Sequence, residues 1–81
     1  MDAKAQELLS RFAEHANRGV IHANDWEMFD EFVGYVYGSN QAVTPEVIVE
    51  ILKEHGWEED QAERVALAYS HQVRILAKVK P

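Results

Sequence analysis

Four stretches of this chain repeat their apolar residues at helical spacing, and each is bounded by residues that start or stop a helix. From Ala3 to Asn17, the side chains Ala5, Leu8, Leu9, Phe12 and Ala16 form one stripe. Glu7 with Arg11 and Glu14 with Arg18 make i,i+4 pairs on the opposite side. Gly19 offers a stop, because glycine takes left-handed backbone geometry at little cost. A second helix is expected to start at Asn24, whose side chain can cap the first turn while Glu27 reaches back. It continues through Tyr37 to Gly38, and Gly38-Ser39-Asn40-Gln41 reads as loop. Thr44 then Pro45 is a hydroxyl cap followed by proline at the first helical position. That third helix ends at Gly56, with Trp57 placed to pack back on Leu52. The acids Glu58 to Asp60 suit the positive end of a fourth helix, which reaches Val79 with Lys78 and Lys80 near its C-terminus.

Helices over 3–18, 24–37, 44–55 and 58–79, joined by short loops, predict a compact all-α, four-helix bundle-like domain spanning 1–81. The valine-rich pieces near Val20 and Val43 are too short to alternate as strands. A chain of 81 residues buries only about 60–65% of its unfolded surface. There is no cysteine, so packing alone, or packing with an oligomer contact, must hold the fold. The expected core is Leu8, Phe12, Phe29, Phe32, Val36, Ile48, Ile51, Leu52, Val65, Tyr69 and Leu76. No apolar run approaches the roughly 20 residues that span a bilayer, and Met1–Arg11 has no apolar core of a secretory signal. The expectation is a cytoplasmic protein with no membrane contact.

Residues that could carry chemistry do not converge. There is no Gly-x-Ser-x-Gly turn, and Ser70 and His71 are adjacent on a helix, about 100° apart, so they cannot act as nucleophile and base. None of His15, His22, His55 and His71 has an acid or a second histidine three or four residues ahead of it, so metal-binding bundle spacings are missing. His22 and Asp25 are three apart but straddle a helix start. The run Gly19-Val20-Ile21 to Asp25 echoes the end of a calcium loop, but Ala16 and Arg18 stand where carboxylates are needed. We expect no catalysis, no metal and no cofactor. Helices three and four have the order of a DNA-binding helix-turn-helix, the alternative regulator reading. The reading helix would open with Glu58, Glu59, Asp60 and Glu63, whose sign repels phosphate. Direct nucleic-acid contact is therefore not expected.

Charge distribution points elsewhere. The chain carries a net −6, and from Gly19 to Leu52 it has six acids and no lysine or arginine. Such a field attracts basic surfaces. Helix two places Glu27, Asp30 and Glu31 on a narrow strip with Gly34, while Trp26, Met28, Phe29, Phe32, Val33, Tyr35, Val36 and Tyr37 cover an apolar arc of roughly 250°. Three neighbouring helices should leave some of that aromatic surface exposed. Gly34 costs about 1 kcal/mol relative to alanine inside a helix, and so hints at a close backbone approach. Leu67 stands alone on the otherwise polar line Asp60, Arg64, Leu67, His71, Arg74. The reading is a non-catalytic protein-binding module that presents Asp25, Trp26, Glu27, Asp30, Glu31 and Tyr37 to a basic partner protein. A small inhibitor or nucleic-acid mimic is its sharpest form, and a homodimerising adaptor joined through the helix-two aromatics is a further alternative.

Overall fold

The apolar stripes meet as their spacing requires. The computed structural model describes residues 1–79 as α1 (Ala3–His15), α2 (Ala23–Gly38), α3 (Pro45–Glu54) and α4 (Glu59–Val79), with no strand among them. Lys80, expected beside the end of α4, lies outside the described residues. α1 packs along α2 and α3 along α4, and the two pairs join through α1–α3 and α2–α4. Each helix thus occupies one corner of a four-cornered bundle. No described helix is long and apolar enough to cross a membrane.

A chain of rings runs through the centre. Trp57 stacks on Phe12 at 5.7 Å, Phe12 meets Phe29 at 5.0 Å, Phe29 meets Phe32 at 5.7 Å, and Phe32 meets Tyr69 at 6.2 Å. All four helices and the last loop share this core, which also contains Leu9, Ile48, Leu52 and Val65. Every expected core residue is buried except Leu76, which is only partly so. The buried Tyr69 hydroxyl donates to Val43 O at 2.8 Å, and burial pushes its phenol above the ordinary value.

α1 stops three residues short of expectation, and the other boundaries that differ do so by one residue. α1 ends at His15, because Ala16 leaves helical geometry and the Asn17 side chain then accepts from the Gly19 and Val20 amides. Arg18 is therefore no partner for Glu14 and turns to α3 instead. α2 begins at Ala23, one residue early, with His22 as its cap position. Asp25, and not the expected Asn24 and Glu27, closes that turn: its Oδ2 accepts from the His22 amide at 3.1 Å and the Asn17 amide at 3.3 Å. At the far end of α2 the left-handed residue is Asn40 (φ 55), while Gly38 remains helical. Bonds from Asn40 N–H to Tyr37 O and from Gln41 N–H to Val36 O complete a Schellman stop there. Thr44 caps α3 as expected, accepting from Val47 N–H at 3.3 Å.

The turns at one end of the bundle interlock. Gly56 (φ 89) and Trp57 close α3 through bonds from Gly56 N–H to Lys53 O and from Trp57 N–H to Leu52 O. The buried Trp57 indole then donates to Ala13 O at 2.9 Å, satisfying a carbonyl left open by the end of α1. Reciprocally, Arg18 donates to His55 O at 2.7 Å and Gly56 O at 2.9 Å, with its guanidinium over the Trp57 ring. A Cβ added at Gly56 would lie 3.0 Å from Arg18 Nη1, on backbone that disfavours side chains. Gly56→Ala is expected to cost about 1–3 kcal/mol, and Trp57→Phe about 1–3 kcal/mol for the orphaned carbonyl. Urea unfolding checks both, and losses well under 1 kcal/mol would contradict the interlock.

A second knot ties the other end. Asp2 Oδ1 accepts from Ala5 N–H at 2.9 Å and Oδ2 from the Tyr35 hydroxyl at 2.6 Å and Gln41 Nε2 at 3.0 Å. The Tyr35 bond, with the Ala5 amide behind it, holds the Asp2 carboxyl below its ordinary value. The same bond to Asp2 pushes the Tyr35 phenol up. A lowered carboxyl stabilises the fold above its unfolded pKa of about 3.9, and that contribution is lost as pH falls through the folded value. A raised phenol contributes below about pH 10, and its contribution is lost as pH climbs through the folded value. Tyr35→Phe should therefore flatten the stability profile at both extremes, measured by urea unfolding across pH. An unchanged profile would show that the bond does not persist in solution.

Candidate binding face

Helix α2 sits between α1 and α4, so its surface divides into three parts. Phe29, Phe32, Val33 and Val36 enter the core. Tyr35 turns to α1, bonding Asp2 and lying under Lys4 Nζ at 5.3 Å from the ring centre. Trp26, Asp30, Val33 and Gly34 border α4. The acids between these flanks, Glu27, Asp30 and Glu31, are exposed and make no ion pair among the described residues.

The sequence-derived site is therefore split. Asp25 is half-buried and occupied by two loop amides. Glu31 faces α1, beside Lys4, Glu7 and Arg11. Asp30 faces α4 beside Gln72 and Ile75, and Glu27 stands between the two directions. Trp26 is half-buried, 6.2 Å from Phe12 and 5.8 Å from Phe29, and Tyr37 is half-buried as well. The expected exposed aromatic surface is thus much reduced: the flanking helices and the ring chain cover most of it. The large exposed apolar side chains include Leu67 at 72%, Ile75 at 46% and Val79 at 75%, all on α4.

Two open grooves follow the α2–α4 seam. The first, about 460 Å³, is lined by Trp26 from α2 and by Arg64, Leu67, Ala68, His71 and Arg74 from α4. The second, about 320 Å³, sets Asp30, Val33 and Gly34 against Gln72, Ile75 and Leu76. The buried contacts of α4 all lie in its first half, at Ala62, Val65, Ala66 and Tyr69. In its second half Val73 and Leu76 pack against the core only partly buried, so the groove walls are lightly covered.

Arg64, His71, Arg74 and Ile75 were not among the expected binding residues. A signal for them existed: thirteen of the fourteen acids precede Gln61, and four of the eight bases follow it. The helix-turn-helix order is present in α3 and α4, but Glu58, Glu59, Asp60 and Glu63 remain exposed at the start of α4. Among the described residues no three His, Cys, Asp or Glu side chains gather as a metal site.

Gly34 has no close neighbour from another element among the described residues, since an added Cβ would meet nothing of them within 4 Å. Gly34→Ala is accordingly expected to stabilise the isolated chain by about 1 kcal/mol through helix propensity, read by urea unfolding of a dilute sample. A loss of stability would mean that the chain itself fills that space. Compared with protein families, curated proteins and solved structures, the chain finds no match.

Proposed function

We propose that this domain is a non-catalytic binding module that docks a protein with a basic, partly apolar surface, using the acidic strip of α2 and the grooves beside it. The observation that carries this reading is that Glu27 and Asp30 stand exposed on one helix with no ion pair among the described residues, near a groove edged by Trp26 and Leu67. Unpaired surface carboxylates raise the rate of encounter with a basic surface, and an adjoining apolar groove supplies the anchor that slows escape. A site built to hold nucleic acid is one basic surface of this kind, which makes a small inhibitor or mimic the sharpest form of the proposal.

A helical peptide with lysine and leucine on opposite faces is a defined probe. Its association should slow severalfold as ionic strength rises from about 0.05 to 0.5 M, because screening shortens the reach of the charges. Reversal of Glu27 and Asp30 to lysine should weaken binding by at least about tenfold and leave the helical circular dichroism intact, since both side chains face solvent. The same change at Glu14 and Glu63, away from the strip, should matter much less. Equal binding by the Glu27/Asp30 variant and the parent would overturn the proposal.

A further inference from the structure

The face where α2 meets α4 carries its two signs of charge on opposite edges. Asp30 lines the α2 edge, with Glu27 exposed one turn before it, while Arg64, His71, Arg74 and Lys78 are exposed along α4. None of them makes an ion pair among the described residues. Between the edges lie the two grooves and the exposed side chains of Leu67 and Ile75.

A closed pair of identical chains needs a patch that complements itself. This face can be laid on its own copy about either of two axes. An axis crossing the helices stacks α2 on α2 and α4 on α4, setting acid against acid and base against base. An axis parallel to the helices sets each α2 along the α4 of the other copy, so that the exposed acids of α2 face the bases that follow Glu63 on α4. The charge layout selects the second arrangement, because like charges face to face oppose association.

We infer that the α2–α4 face pairs with the same face of a second copy of this chain, about a two-fold axis parallel to the helices. The inference rests on the reading of this face as a docking surface, and it names a basic partner surface: α4 of the second copy. An axis along the helices keeps residues at their own level in the bundle. Trp26 shares a groove with Leu67, so it meets Leu67 of the second copy. Asp30 lies level with Gln72 and Ile75, so it meets Arg74 of the second copy. Gly34, where a Cβ would touch nothing within 4 Å, receives Ile75 of the second copy. Symmetry makes each contact twice.

Sedimentation of the parent and two charge variants tests this pairing. The parent should form dimers that loosen as salt is raised. Asp30→Lys alone and Arg74→Glu alone should each weaken the dimer by at least about tenfold. An equimolar mixture of the two variants should dimerise again, because the introduced lysine and glutamate meet at one contact and the native pair meets at the other. Both substitutions are on exposed positions, and unchanged circular dichroism separates lost pairing from lost folding. A parent that is monomeric at about 1 mM, where even weak pairs form, would overturn the inference. So would a dimer indifferent to both variants, or a mixture that stays monomeric. A monomeric parent that still binds the lysine–leucine peptide through Glu27 and Asp30 would overturn the pairing and leave the docking reading standing. An Arg74→Glu monomer that ignores the peptide although Glu27 and Asp30 are intact, beside a parent that dimerises as expected, would overturn the docking of a separate basic partner and leave the pairing standing.

Discussion

The fold depends on how two helix C-termini are brought side by side. The interlocked turns place the ends of α1 and α3 next to each other, and each end carries open carbonyls equivalent to about half a negative charge. Left alone, these ends would repel one another and remain unsatisfied. Arg18 resolves the conflict by setting a cation on the His55 and Gly56 carbonyls just past the end of α3, while the Trp57 indole takes the Ala13 carbonyl of α1. Each turn caps the other's helix, so neither can form its final shape alone. Trp57 also continues the aromatic chain from Phe12 to Tyr69, which couples this capping to core packing.

That constraint determines what remains available for binding. The interlock holds α1 to α3 at one end, and Asp2 holds α1 to Tyr35 and Gln41 at the other. Across the bundle, the α2–α4 seam closes through Phe32 and Tyr69 deep in the core, and toward its rim leaves the grooves uncovered. α4 supplies the exposed apolar side chains there because its buried residues end at Tyr69 while the helix runs on to Val79. An extended helix with a basic second half, beside an acidic α2, gives a surface whose two edges attract opposite charges.

Much of the architecture was legible because it is written in local terms. Helical spacing, Thr44-Pro45 and Gly56 act within a few residues of themselves, and the structure places α3 as those signals indicate. The ends of α1 and α2 were less legible because their closing partners are not the nearest eligible residues. Glu14 and Arg18 have ideal spacing, but Arg18 gains two carbonyl acceptors 37 and 38 residues away. Asn24 is a good cap by type, yet Asp25 serves two amides and so fixes the start one residue earlier. The candidate site was half legible. Glu27 and Asp30 were evident from charge, but Trp26 and Tyr37 were assigned to the binding surface, because knowing which part of so wide an apolar arc is covered requires knowing where α1 and α4 lie. Leu67 stood out in the sequence only as an isolated leucine, and its meaning depends on Trp26 lying beside it in space.

The two tryptophans separate the roles assigned to the two regions. Trp26 borders the proposed docking face, and Trp57 sits in the interlock at the end of the bundle. Each contributes one indole N–H resonance to a proton–nitrogen spectrum, followed as the protein is concentrated or titrated with the basic peptide. The Trp26 resonance should shift, together with the amides of Gly34, Leu67 and Arg74, while the Trp57 resonance stays in place. Movement of Trp57 with Trp26 stationary, or no movement of either, would contradict that division of roles.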